Sequence, residues 1–188
     1  MQNKFLLPAL IFLCYLTACA DKTNNNASNS SSNPKVSMAA PPLMNSSKTI
    51  PENIATDTSH TSLAEAFIST GLMETLCQPG PFTVFAPTND AFRRLPPGTF
   101  EGLMNNRKND LANILSYHIV AGSIKTKDMK DGEKLETLAG EELIVTLRND
   151  RVLINGINVI NPDIETGNGV LYVIDGVLFP RSQNAAAY

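Results

Sequence analysis

Residues 83–92, which read TVFAPTNDAF, constrain the fold more than any other stretch of this chain. Their apolar beginning predicts a short buried strand, and Pro87 predicts a turn directly after it. A helix is expected to begin at once, because the Thr88 hydroxyl can cap it and Asp90 places a negative charge in its first turn. The stretch therefore fixes a strand and a helix relative to each other.

Four stretches, in one order along the chain, resemble the signature sequences of fasciclin domains, an extracellular module found in adhesion proteins and bacterial envelope proteins. They are residues 83–92, LSYHIVAG at 115–122, TLAG at 137–140 and GVLYVIDGVLFP at 169–180. The signature residues are Thr88, Asn89, Asp90 and Asp175. The resemblance covers residues 54–180 and implies an α+β fold, in which a wedge-shaped β-sheet arrangement carries several small helices.

Helical periodicity dominates the first half of this region. A helix is expected around Leu63, with Thr61 or Ser62 as its cap. A second amphipathic helix is predicted over residues 110–116, and His118 continues its apolar stripe. Helices first and strands later favour the α+β class over a regular alternation of strands and helices.

Alternation with a period of two dominates the second half. Asn149-Asp150 and Asn155-Gly156 predict two tight hairpin turns, the second more strongly because both of its residues tolerate positive φ. The apolar run at 170–174 predicts a buried central strand. Residues 181–188 are expected to form a loose tail.

The acidic balance of the chain argues against a nucleic-acid partner. Its 188 residues include 15 Lys and Arg against 18 Asp and Glu, a net charge of −3. Nucleic-acid binding requires a basic face. The length suits one domain with extensions.

The cysteines of this chain are not expected to form a disulfide within the domain. The three cysteines are Cys14, Cys19 and Cys77, and the first lies inside an apolar N-terminal run that should be removed. Cys77 is then the single free thiol of the domain, and we expect it to be a small apolar packing residue at a helix end. The alternative is an intermolecular disulfide or a reactive thiol.

Residues 1–18 predict an export signal peptide. Lys4 precedes an apolar run of about a dozen residues, too short for a stable membrane anchor. The run ends in LTAC, which resembles the bacterial lipobox and implies that Cys19 is lipidated and becomes the first residue of the mature chain. The alternative is an ordinary secretory signal cleaved near Ala18 or Ala20.

Residues 19–53 predict a disordered, lipidated tether rich in Asn and Ser. Such a segment cannot bury enough apolar surface to offset its ordering entropy. About 35 flexible residues span roughly 30 Å, so the domain could stand clear of the lipid headgroups. Ala20, where inner-membrane lipoproteins often carry aspartate, favours the outer membrane.

The pair Tyr117-His118 is the first candidate site. The fasciclin resemblance implies an adhesion motif here, whereas position on an apolar stripe favours a buried, hydrogen-bonded histidine that ties helix to sheet. A metal site is not expected, because His60 is the single other histidine and has no ligand spacing to it. Catalysis would need a nucleophile or acid partner, and no such spacing is visible.

Asp163-Ile164 is the second candidate, since it resembles a short Asp-Ile motif that fasciclin proteins use in integrin-dependent adhesion. The alternative is a strand end with an aspartate in a turn. The resemblance also places Tyr172 where the family usually carries a histidine, and this substitution is expected to remove a polar contact.

These observations favour a binding protein of the cell envelope, not an enzyme, with no cofactor and no metal. Its expected partners are a membrane, through the N-terminal lipid, and a protein, matrix or polysaccharide surface. The second hypothesis is a carrier of a small apolar ligand such as a lipid or carotenoid, which predicts an open pocket lined by Phe, Leu and Ile.

Overall fold

The structure is a computed structural model that describes residues 47–149 and 151–184. The expected signal peptide, the expected lipidation site at Cys19 and nearly all of the expected tether lie outside the described residues, as do Asp150 and residues 185–188.

Short helices make up most of the first half of the described chain. They are α1 (Ile50–Thr56), α2 (Thr61–Thr70), α3 (Leu72–Leu76), α4 (Asn89–Arg93), α5 (Thr99–Asn106) and α6 (Lys108–Tyr117), and α7 (Arg181–Asn184) follows the last strand. Single 3-10 turns occur at Thr58–His60 and Thr126–Asp128.

Seven strands form one sheet. They are β1 (Phe82–Pro87), β2 (Ile119–Ala121), β3 (Lys134–Glu136), β4 (Glu142–Arg148), β5 (Arg151–Ile154), β6 (Ile157–Thr166) and β7 (Gly169–Ile174). Their order is β2-β1-β7-β6-β5-β4-β3. β1 and β7 pair in parallel and the other neighbours are antiparallel. The predicted central strand is therefore confirmed as β7.

The sheet curls until its two edges meet. β2 and β3 approach through a bridge between Val120 and Thr137, and Leu138 donates its N–H to the Ile119 carbonyl at 2.8 Å. These contacts close a nearly barrel-shaped sheet. Together with the small helices, it confirms the α+β class expected from the sequence.

Successive side chains of β1 and β7 point to opposite faces of the sheet and pack into two separate hydrophobic cores. On β1, Val84 and Ala86 pack against the helices while Phe85 faces the inside of the curled sheet. On β7, Leu171 joins the helical side and Tyr172 the inner side. β1 and β7 are buried on both faces because they separate these cores.

The domain begins earlier than residue 54, which corrects the expected boundary of the tether. Ile50 and Ile54 in α1 are fully buried in the helical core. Asn168, in the turn between β6 and β7, accepts the Ile50 N–H at 2.8 Å, and Gly167 donates its N–H to the Lys48 carbonyl at 2.8 Å. Burial and these bonds fix the chain from Lys48 onward.

The expected cap of α2 also needs correction. Thr61 is already helical, and the orphan N–H of Ser62 donates to Oδ1 of Asn89 at 3.0 Å. Asn89 also donates its Nδ2 to the Thr58 carbonyl at 2.9 Å. A side chain from α4 therefore caps α2 across the fold.

The beginning of the expected tail is bound to the domain. The Arg181 N–H and the Ser182 hydroxyl donate to the Glu141 carboxylate, at 2.8 and 2.7 Å.

The expectation that Cys77 is a buried packing residue is wrong, because its side chain is exposed just after α3. A helix this short turns Leu76 inward and leaves the next residue facing solvent.

Both predicted hairpin turns occur. Asn149 has φ 47° between β4 and β5, and Asn155 and Gly156 have φ values of 48° and 83° between β5 and β6. Two consecutive positive φ values define the type I′ turn, whose twist matches the flanking strands.

Candidate functional site

The His118 ring is buried completely where α6 meets the sheet. Its Nδ1 lies 2.7 Å from the Ile114 carbonyl, and its Nε2 lies 3.0 Å from the Leu178 N–H. A carbonyl only accepts and a backbone N–H only donates, so the network assigns the proton to Nδ1. His118 is therefore neutral, and it joins the last turn of α6 to the segment that follows β7.

Burial also sets the acid–base behaviour of this ring. Desolvation lowers the pKa of His118 from 6.5 to about 4, although the hydrogen bond to Ile114 opposes this shift. Near neutral pH the ring is therefore uncharged, and both of its nitrogens are engaged within the protein.

Tyr117 is 1% exposed and sits at the centre of a second network. Its hydroxyl donates to the Glu142 carbonyl at 3.0 Å and accepts from Asn155 Nδ2 at 2.8 Å. Asn155 Oδ1 in turn accepts the Ile144 N–H at 2.8 Å. Burial raises the pKa of Tyr117, which keeps the hydroxyl protonated and able to donate.

Tyr117 and His118 are both buried, as the apolar stripe of α6 indicated for His118, and they form no exposed binding surface in the folded domain. Both rings continue the apolar stripe of α6 into the protein, and every polar atom they carry has an internal partner. Any contribution that they make to binding passes through the surface that they support.

Asp163 lies in an irregular part of β6, with the rare φ of 54°. Its Oδ1 accepts the Thr126 N–H at 2.8 Å and lies 2.7 Å from the Tyr172 hydroxyl. Partial burial works to raise the pKa of Asp163, but the hydrogen bonds from Thr126 and Tyr172 outweigh it and leave the pKa below its ordinary value. Ile164 points the other way and packs against the helical core.

The sequence led us to expect that tyrosine at position 172 removes a polar contact, but Tyr172 makes polar contacts of its own. Its ring packs on Phe85 with centroids 5.4 Å apart, and its hydroxyl lies within 2.9 Å of both the Ile124 carbonyl and Asp163. Burial and then the hydrogen bond to Asp163 raise the pKa of Tyr172. Tyrosine therefore fastens the 124–126 segment to β6 and β7.

The signature residues of the first stretch act on helix ends. Thr88 accepts the Ala91 N–H on its hydroxyl at 3.3 Å, so the predicted cap of α4 is present. Asp90 lies in the first turn and pairs with Arg93 on the surface. Asn89 caps α2, a role that no local pattern around Ser62 could indicate.

Asp175, in the second signature stretch, holds the end of β7 against β6. Its Oδ1 accepts the Asn158 N–H at 3.2 Å, and its own N–H donates to the Asn158 carbonyl at 3.1 Å. Arg94 donates to the Asp175 carbonyl at 3.0 Å, which connects α4 to the same point. The two signature stretches therefore meet in space.

An exposed surface is formed by residues 160–163, which we call the β6 bulge. The pairing of β6 with β7 shifts register twice here, between Val159 and Asn161 and between Asn161 and Ile164. Ile160 is 55% exposed, an unusual position for a large aliphatic side chain. Tyr172 and Thr126 hold this surface from beneath through Asp163.

A groove of about 530 Å³ lies at the other end of β6. Its walls include Ile144 of β4, Ile157 of β6 and Phe179, and Arg181 stands at its rim. The buried Tyr117 also lines it. We call it the Arg181 groove.

Metal binding and membrane spanning find no support in the part of the chain that the structure describes. No group of three or more His, Cys, Asp or Glu side chains there could hold a metal ion. Within the same residues, every helix is too short or too polar to cross a bilayer.

The sequence matches the fasciclin domain family over residues 58–180. The chain belongs to the fasciclin family. Protein sll1483 of Synechocystis sp. is 43% identical to it over 136 residues, which cover 72% of this chain and 75% of that protein. Human periostin is 38% identical over 122 residues, which cover 64% of this chain and 14% of periostin.

Other fasciclin proteins extend the comparison to cell surfaces. The cell surface glycolipoprotein MPB83 of Mycobacterium bovis is 38% identical over 104 residues, which cover 55% of this chain and 46% of that protein. A solved FAS1 domain pair from the insect cell adhesion molecule Fasciclin I superposes with a TM-score of 0.64 at 20% identity, over 73% of this chain and 52% of that chain. The superposition confirms the fasciclin fold.

Proposed function

We propose that this fasciclin domain is a non-enzymatic adhesion module, held on a bacterial cell envelope by a lipid on Cys19. Membership of a family with cell-surface and cell-adhesion proteins supports the adhesive role. The lipobox-like sequence before Cys19 and the low-complexity segment after it support an anchored, outer-membrane location. Its partner is a protein or glycan on another surface, and no nucleic acid is involved.

The β6 bulge is the surface that we expect to contact the partner. Ile160 is exposed there beside Asp163, and Tyr172 and Thr126 fix the backbone from within. A pre-ordered surface loses little conformational entropy on binding. Many copies on one membrane would multiply a weak contact into firm attachment.

Ile160→Ser tests this surface, and Ile68→Ser is its matched control. Ile68 on α2 is 66% exposed, so each change replaces a solvent-exposed isoleucine with serine and neither opens a cavity in the core. We expect Ile160→Ser to weaken attachment of protein-coated beads to cells or matrix, and Ile68→Ser to leave it unchanged. Equal attachment by both variants would exclude the β6 bulge.

Protease shaving of intact cells tests the location. A low-complexity tether is the preferred cleavage site, so an outward-facing domain should be released and detected by antibody. Cys19→Ser should abolish membrane retention without altering the domain. A domain that survives until the envelope is broken would rule out outward adhesion.

Carriage of a small apolar ligand is a second candidate function, and the Arg181 groove favours it. Ile144, Ile157 and Phe179 leave a partly apolar surface open there. Its volume lies in the range of pockets that take small molecules.

A further inference from the structure

The Arg181 groove offers a ligand a mixed apolar and polar lining, in which two of the polar side chains are already engaged within the protein. The Tyr117 hydroxyl is fully engaged with Glu142 and Asn155, and the Asn155 amide is engaged with Tyr117 and Ile144. A ligand therefore gains no strong hydrogen bond from these two side chains without breaking an internal one. The apolar contribution comes from Ile144, Ile157, Val177 and Phe179.

One residue that lines the groove, Arg181, carries a charge. Arg181 is exposed, and its guanidinium makes no ion pair or hydrogen bond with the described residues, although it interacts electrostatically with the Glu141 carboxylate. The nearby Glu141 carboxylate is already occupied by the Arg181 N–H and the Ser182 hydroxyl. These two bonds also fix the position of Arg181 along the rim.

We propose that the groove binds a single-chain carboxylate amphiphile, of the fatty-acid class, with its carboxylate on Arg181 and its alkyl chain along Ile144, Ile157 and Phe179. A planar guanidinium matches a carboxylate with two parallel hydrogen bonds. Among the described residues that line the groove, Arg181 is the single charged group, and the Glu141 carboxylate beside it offsets part of its charge, so the site favours a monoanion over a dianionic phosphate head. This inference rests on the second candidate function.

The test compares dodecanoate with dodecanol, which has the same chain and no charge, below the concentrations at which either aggregates. Affinity is measured by calorimetry on the full chain, and the position by methyl NMR of the isoleucines. Arg181→Gln removes the charge, while Lys108→Gln removes an exposed cation at the far end of α6. Thermal unfolding of each variant confirms that it is folded.

We expect dodecanoate to bind more tightly than dodecanol and to shift the Ile144 and Ile157 methyl signals. Arg181→Gln should weaken dodecanoate binding by about tenfold and leave dodecanol unchanged. Lys108→Gln should bind both ligands as the parent protein does.

Two results would overturn the inference, and they separate its failure from that of the carrier function. Equal binding of both ligands in the groove would leave the carrier function standing without a role for Arg181. Methyl shifts confined to Ile68 or Ile160 would remove the carrier function as well.

Discussion

Leu178 donates its backbone N–H to the Nε2 atom of His118 at 3.0 Å, and both groups are buried. The bond joins the end of the last signature stretch to the end of α6. It requires an unprotonated Nε2, because an imidazolium carries a proton there and could only donate. The fold around the central histidine is therefore coupled to its protonation state.

His118→Ala should lower the free energy of unfolding by about 3 kcal/mol or more. The change leaves the Leu178 N–H and the Ile114 carbonyl buried without partners, and it opens a cavity where the ring stood. Urea unfolding followed by circular dichroism measures the loss, with Lys108→Gln as an unaffected control. A variant of unchanged stability that had lost adhesion would instead give the ring a direct contact role.

Acid should destabilise the domain through the same residue. His118 has a pKa of about 4 in the folded state against 6.5 ordinarily, so between these values the unfolded chain binds a proton that the folded chain does not. The free energy of unfolding should therefore fall as the pH falls from 6.5 to 4, by about 1.4 kcal/mol per pH unit from this group, with no contribution above 6.5. NMR titration should find the ring neutral, with its proton on Nδ1, down to about pH 5. A ring that titrates at its ordinary pKa would contradict the buried geometry.

Asn89→Ala should cost about 1–2 kcal/mol of stability, since Ser62 loses its N–H acceptor and the Thr58 carbonyl loses its donor. Asn109→Ala is the matched control, because Asn109 is an exposed asparagine in α6. Hydrogen exchange should accelerate at the start of α2 in the first variant alone. Unchanged exchange there would mean that α2 does not depend on its cap from α4.

Two glycine substitutions should act in opposite directions. A Cβ on Gly169, at φ 157°, would lie 1.9 Å from the Phe82 carbonyl oxygen, so Gly169→Ala must push β7 away from β1 and should cost about 3 kcal/mol or more. Gly102 lies within α5 with open space around it, and Gly102→Ala should add about 0.5–1 kcal/mol. Melting temperatures of the pair provide the comparison. Similar values would show that β1 and β7 tolerate a wider separation.

The predictions that the structure confirms depended on the chemistry of a few neighbouring residues. The cap at Thr88 and the turn at Asn155-Gly156 each depend on one or two residues and their immediate neighbours, and both are present. The buried strand at 170–174 needed only an apolar run.

Long-range contacts decided what the sequence could not indicate. Ile50 is buried by packing into the helical core, and Asn168, far along the chain, accepts its N–H. The capping box of Thr49 and Glu52 could have indicated the helix but not its burial. The pairing of Tyr172 with Asp163 depends on the two register shifts of β6, which leave no periodic trace. The burial of Tyr117 was likewise settled by β4 and the turn at Asn155.

The bonds from Lys48 to Gly167 and from Ile50 to Asn168 also decide where the domain bears mechanical load. A force applied to the N-terminal segment is transmitted through these two hydrogen bonds to the turn between β6 and β7, and they lie at or before the first residue of α1. β7 is paired along its length with β1 on one side and with β6 on the other, so the force spreads through ladders in the middle of the sheet. A load on the N-terminal segment would therefore act on paired strands in the middle of the sheet as well as on the helices.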